Sequence, residues 1–154
     1  MQPRLNAPKV APKMYQAMVE LEGKVRDSGL EASLIELVKT RASQINGCAF
    51  CIAMHTRDAI TDGEDPMRLY LLDAWHEAPC YTDRERAALA WTDALTLVAA
   101  THAPDADYEA LKAQFSDEDQ VKLTMLICTI NAWNRIAIGF RAVPQIEASD
   151  GQGR

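Results

Sequence analysis

Between Glu31 and Thr61 two helix-patterned stretches meet at a single dipeptide, Asn46-Gly47, and this junction constrains the chain more than any other feature. Before it, Leu34, Leu37, Val38, Arg41 and Ile45 fall on one stripe of a helix opening near Glu31, with Arg41 the polar exception. Asn-Gly is a turn pair that ends such a helix. After it, a helix is expected from about Cys48 to about Thr61. If the two helices fold back antiparallel at this turn, they form a helical hairpin.

The same kind of punctuation runs through the rest of the chain, and strand patterns are nearly absent. Met14, Met18, Leu21 and Val25 predict a helix from about Lys13 to Val25, broken by Asp27-Ser28-Gly29. Asp65-Pro66 reads as an N-cap with proline at the first helical position of a short helix to about Trp75. Thr82-Asp83-Arg84-Glu85 is a capping-box pattern opening an Ala-rich helix to about Ala100. Pro104-Asp105 starts another, ending near Phe115, and Ser116 caps a long helix to about Phe140. Pro144 and the tail from Ser149 to Arg154 are expected to fray. The expectation is all-α: one domain over residues 1–154, core about 12–143, with about seven helices around the hairpin.

A hydrophobic share of 48% over 154 residues is enough for a core. The net charge of -6 argues against a nucleic-acid binder, which needs a basic face. No apolar run approaches the ~18 residues of a membrane span. Met125 to Ile130 is interrupted by Thr129 and followed by Asn131. The first eleven residues lack the apolar segment of a secretory signal, so a cytoplasmic, reducing location is expected. There, four cysteines are more readily buried thiols, a metal site or a catalytic pair than structural disulfides.

Cys48-Ala49-Phe50-Cys51 is a C-x-x-C directly after the turn. It can be a redox dithiol, half a zinc site or an inert pair. Zinc is disfavoured because Cys80 and Cys128 stand alone, with no second paired motif. Helix geometry favours redox chemistry. Residues three apart have Cα atoms about 5 Å apart, inside the ~4.4–6.8 Å range of a disulfide. A helix start also supplies free N–H groups that favour a thiolate. His55 follows Cys51 by one turn on the same face, where imidazole can take a thiol proton; Cys48 lies about 10.5 Å away along the axis. Across the hairpin, Glu36 comes roughly level with His55 at ~1.5 Å per residue, placed to orient it or relay its proton. An exposed Glu36 pairing with Lys39 or Thr40 fits the spacing equally well, and Asp58 could orient His55 instead. Cys80 and Cys128 read as small apolar residues, Trp91 and Trp133 as core or subunit contact, and His76 as a solvated loop residue.

The pattern Glu36, Cys48-x-x-Cys51, His55 resembles the signature of the alkylhydroperoxidase D family, within the wider carboxymuconolactone decarboxylase-like group. Trp75 to Thr92 and Asn131 to Ile138 resemble two further blocks, so the resemblance covers most of residues 30–140. It implies an all-α fold built on a helical hairpin, usually in homo-oligomers such as trimers or hexamers. It also implies thiol-dependent peroxide reduction, with Cys51 attacking the peroxide, Cys48 resolving it, and His55 and Glu36 relaying protons. No haem, flavin or metal is implied; a small peroxide and an external dithiol or redox protein are the partners. The best-known members carry histidine between the cysteines where this chain has Phe50, which removes a proton donor and makes the pocket more apolar. Members that decarboxylate a lactone typically lack the cysteine pair, so that activity is not expected. The other readings are a disulfide reductase acting on proteins and a non-enzymatic redox-sensing helical assembly.

Overall fold

The computed structural model describes residues 2–144 and 146, and its helices follow the punctuation of the sequence. They are α1 (Ala7–Val10), α2 (Pro12–Arg26), α3 (Ala32–Asn46), α4 (Ala49–Thr61), α5 (Pro66–Leu71), α6 (Asp83–Thr96), α7 (Val98–Thr101), α8 (Asp105–Gln114) and α9 (Asp117–Phe140), with a 3-10 turn over Leu72–Ala74. No strand occurs among the described residues. The nine helices among the described residues exceed the expected seven for two local reasons. Asn6 caps an additional turn, α1, by accepting from the Lys9 N–H. The helix expected to reach Ala100 instead breaks at Leu97 (φ -101°, ψ 27°) and resumes as α7. The Thr101 hydroxyl donates to the Ala94 carbonyl that this break frees, at 2.6 Å. The expected fraying of Ser149 to Arg154 falls outside the described residues.

The caps read from sequence do what their chemistry dictates. Asp65 accepts from the Met67 N–H at 2.9 Å, and Ser116 from the Asp119 N–H at 3.2 Å. Thr82 and Glu85 satisfy each other's backbone N–H groups reciprocally, the full capping box. Gly47 adopts the left-handed conformation (φ 68°, ψ 33°), where a side chain would be strained, and so ends α3.

The hairpin helix α3 is the centre of the fold and packs on α4, α6 and α9. Every residue from Leu34 to Thr40 is buried. Leu34, Ile35 and Val38 join a cluster with Trp91, Leu111, Leu123, Leu126 and Ile127, while Leu37 faces a second cluster with Leu69, Leu72, Trp75 and Leu89. A helix so enclosed pairs most of its polar groups, although Thr40 Oγ1 and Gln44 Oε1 are buried without a hydrogen-bond partner. Arg41 is paired: its guanidinium donates to both oxygens of Asp93 at 2.7 and 2.9 Å and to Asp73 at 2.7 Å. By length and composition alone α9 is long and apolar enough to cross a bilayer, as the core helix of a compact domain also can be. In this fold it is a core helix, burying Leu123, Leu126, Ile127 and Ile130.

Candidate active site

The turn of the hairpin delivers the two cysteines. Cys48 sits one residue before α4 as its N-cap, in an extended conformation, and its sulfur accepts the Cys51 N–H at 3.4 Å. Sulfur thus occupies the place usually taken by a serine or aspartate oxygen, where a negative charge is favoured. Cys51 lies in the first turn of α4. Both are buried, at 1% and 2% exposure.

Their protons are unequally held. The Cys48 thiol is lowered to about 7: it accepts a hydrogen bond from the Cys51 thiol, and the backbone N–H groups of Cys51 and Phe50 and the Asn134 side chain add to this against the opposing effect of burial. The Cys51 thiol is pushed up, because it donates to Cys48, is buried, and lies beside the charge that Cys48 carries. The first proton to leave the pair therefore leaves from Cys48.

His55 and Glu36 meet across the hairpin. His55 Nδ1 lies 2.8 Å from Glu36 Oε2, and both residues are buried, at 4% and 6% exposure. The exposed alternative for Glu36 is thereby removed, and Lys39 pairs elsewhere. Burial pushes the Glu36 carboxyl up, but the hydrogen bond and charge of His55, with the charges of Lys39 and Arg26, bring it below its ordinary value. An ionised carboxylate only accepts, so the proton of this bond sits on Nδ1 and Nε2 remains the basic nitrogen of the ring. Asp58 is half-buried nearby. One ligand atom each from Glu36, His55 and Asp58 lies within 4.8 Å of the others, a group that could hold a metal ion by distance, although Glu36 already occupies Nδ1.

A cavity of about 610 Å³ opens onto this machinery. Cys51 and His55 form part of its wall, together with Phe50, Met54, Trp133 and Ile136; Cys48 does not line it. Of the two cysteines, it is Cys51 that borders this cavity.

Several residues at the site were not singled out from the sequence. Lys39, 1% exposed, is ion-paired with Glu22, whose other carboxylate oxygen accepts from Trp133 Nε1 at 3.1 Å. Asn134 is fully buried and donates to Ser43 Oγ at 3.0 Å. Its signal was two asparagines, Asn131 and Asn134, three apart in an otherwise apolar stretch of α9. Asp58 leaves the Nδ1 bond to Glu36. His76, its side chain 69% exposed, stacks on Trp75 with ring centroids 3.7 Å apart, away from the cysteines. Cys128 is exposed and Cys80 half-buried, so Cys128 is not the core residue expected of a small apolar side chain.

Comparison with known proteins agrees with this architecture. Residues 12–94 match the carboxymuconolactone decarboxylase family. The uncharacterised protein YdfG of Bacillus subtilis is 39% identical over 138 residues, 90% of this chain and 94% of that one. A crystal structure of an Agrobacterium tumefaciens protein of unknown function, proposed to be the antioxidant defence protein AhpD, superposes with a TM-score of 0.93 at 48% identity, covering 95% of this chain and 100% of that one. The debrominase Bmp8 shares the fold at 19% identity, with a TM-score of 0.75 over 89% of this chain and 73% of that one. With an all-helical fold built on the α3–α4 hairpin and a family match over more than half its length, the chain belongs to the carboxymuconolactone decarboxylase family, on its AhpD-like side.

Proposed function

We propose that this protein is a thiol-dependent peroxidase that reduces organic hydroperoxides through a Cys48–Cys51 dithiol/disulfide cycle. The observation that carries the reading is that Cys51, alone of the pair, opens into a largely apolar cavity beside a buried His55–Glu36 hydrogen bond. The fold itself leaves the reaction open, since a debrominase shares it. The reaction is argued from the site.

In the resting pair Cys48 carries the charge and Cys51 the proton. As the Cys51 sulfur attacks the hydroperoxide, its proton passes to Nε2 of His55, and Glu36 holds the imidazolium that forms. The O–O bond breaks, the alkoxide leaves and takes that proton, and an alcohol and a Cys51 sulfenic acid result. The Cys48 thiolate then attacks the Cys51 sulfur. The S–O bond breaks, hydroxide leaves as water after taking up one proton, and the disulfide forms. An external dithiol returns two electrons and two protons. The peroxide is reduced by two electrons and the pair is oxidised by two, with no cofactor.

Burial of both sulfurs argues for a small substrate over a protein disulfide. The cavity of about 610 Å³, walled by Phe50, Met54 and Trp133, has room for a hydroperoxide with an apolar tail. Exposed apolar side chains such as Met14, Tyr70 and Val121 support a homo-oligomer, which sedimentation of the purified protein would test.

The deciding experiment mixes reduced protein with one equivalent of cumene hydroperoxide and counts free thiols. Loss of two thiols per chain with one alcohol released is expected. Unchanged thiols and unchanged peroxide would overturn the proposal.

A further inference from the structure

The cavity beside Cys51 has an outer wall that the long helices do not supply. Pro3, Leu5, Asn6, Ala7 and Pro8 line it, opposite the α4 stripe that carries Cys51 and His55. Residues 2–6 are exposed and α1 has no buried residue, so no buried side chain anchors this segment. Arg4 clasps it to α9 instead. Its backbone N–H donates to the Phe140 carbonyl at 2.9 Å, and its Nη1 donates to the Gly139 carbonyl at 3.1 Å. The chain turns out of α9 at Arg141, in the left-handed conformation, with the Arg141 and Ala142 N–H groups returning to Ile138 and Ala137. That turn leaves the Gly139 and Phe140 carbonyls for another donor, and a cation suits this end of the helix dipole.

The cavity is graded along its length. On α2 it is lined by Tyr15, Val19, Glu22 and Arg26, a stripe about 16 Å long. At one end Arg26 and Asp58 also border the neighbouring cavity that Glu36 lines. Midway, Glu22 is ion-paired with Lys39 and accepts from Trp133 Nε1, so its charge is compensated. Toward the other end the lining is apolar. Tyr15 packs edge-on against Trp133 with ring centroids 5.2 Å apart, and Phe140, at the Arg4 clasp, lies about 10.5 Å beyond Trp133 along α9. Pro3 and Pro8 have no backbone N–H to offer on this wall. A space with few polar groups favours methylenes over water.

We propose that residues 3–8, held on α9 by Arg4, complete an alkyl-chain subsite that leads away from Cys51. The ligand class is a straight-chain apolar molecule whose reactive or hydroxyl end lies near Cys51 and His55 and whose tail runs under the N-terminal segment toward Phe140. Leu5 sets the width of that subsite and Arg4 positions the wall. The inference deepens the peroxidase reading by naming the shape of the hydroperoxide, and rests on it for the reaction alone.

Straight-chain primary alcohols, the products that alkyl hydroperoxides leave on reduction, serve as unreactive probes. Binding of butanol, hexanol and octanol to the reduced protein is measured by calorimetry for the parent, Arg4→Ala and Leu5→Trp. In the parent, affinity should rise about threefold for each methylene taken out of water. Arg4→Ala loosens the wall and should weaken octanol roughly fivefold, while butanol, too short to reach it, stays within about twofold. Leu5→Trp fills the subsite and should give the same pattern more strongly. Both positions are exposed, so neither change disturbs the core. Affinity that does not grow with chain length, or octanol binding unchanged in Leu5→Trp, would overturn the subsite. Octanol binding unchanged in Arg4→Ala would overturn the clasp. Chain-length-dependent binding in a parent that consumes no peroxide would leave the subsite standing and remove the peroxidase reading.

Discussion

His55 Nδ1 and Glu36 Oε2 lie 2.8 Å apart, although nineteen residues of chain separate them and the bond crosses from one arm of a helical hairpin to the other. Its consequence is directional. A buried carboxylate on Nδ1 leaves Nε2 as the basic nitrogen, and the cysteine facing the cavity is the one that holds its proton and needs a base.

His55→Gln should therefore lower the rate of peroxide consumption near neutral pH by roughly 10²–10⁴-fold, a loss that persists to about pH 10 because the Cys51 thiol is pushed up and does not ionise unaided there. Glu36→Gln should give a smaller loss of the same shape, since the imidazole remains. Stopped-flow rates from about pH 6 to about pH 10 check both. An unchanged rate in His55→Gln across that range would remove the relay.

Glu36 also carries a pH signature in stability. Its carboxyl is held below the ordinary value of 4.5, so its contribution is fully present above that value and fades as pH falls through the lower, folded-state value. Urea unfolding should show Glu36→Gln less stable than the parent at neutral pH, with the gap closing in acid. A gap that widened in acid would reverse the sign of the argument.

The two cysteines should separate cleanly. Cys51→Ser should abolish peroxide consumption, because the remaining sulfur does not line the cavity. Cys48→Ser should allow about one turnover and leave a sulfenic acid that dimedone traps on Cys51. Trapping on Cys48 in the Cys51 variant, read by peptide mass mapping, would exchange the roles.

The cluster of Glu36, His55 and Asp58 is close enough to hold a metal, but its imidazole is already engaged. Dialysis against a strong chelator should leave the peroxide rate unchanged, and zinc added at micromolar levels should not raise it. A chelator-sensitive rate restored by metal would make the same three residues a metal site.

Arg41 should prove structural. Its side chain is 11% exposed and ties α3 to Asp93 and Asp73, and Asp93 also accepts from Trp75 Nε1 at 3.2 Å. Arg41→Met strands a largely buried carboxylate and should cost about 2–3 kcal/mol in urea unfolding. Adding Asp93→Leu should recover part of that loss, which a double-mutant cycle would read as coupling between the two positions.

The sequence alone determined the local events. Asn46-Gly47, the Thr82 capping box, the Asp65 and Ser116 caps and the i, i+4 spacing of Cys51 and His55 are set by neighbours in the chain, so residue order was enough to place the hairpin and its cysteines. Tertiary structure decided what depends on groups distant in sequence. Whether Glu36 faced water or His55 depended on α4 packing along α3, and Lys39 found Glu22 of α2 in place of Glu36. The unequal hold on the two thiol protons comes first from the Cys48–Cys51 hydrogen bond, while Asn134, eighty-six residues beyond Cys48, lowers both thiols, an influence that no periodicity in the chain encodes. The cavity beside Cys51 exists only where the first residues of the chain, α2, α4 and α9 leave space between them. Short-range rules fix helices and caps because their energies lie within a turn. Burial, ionisation and access are properties of the packed whole, and here they separate one cysteine from the other.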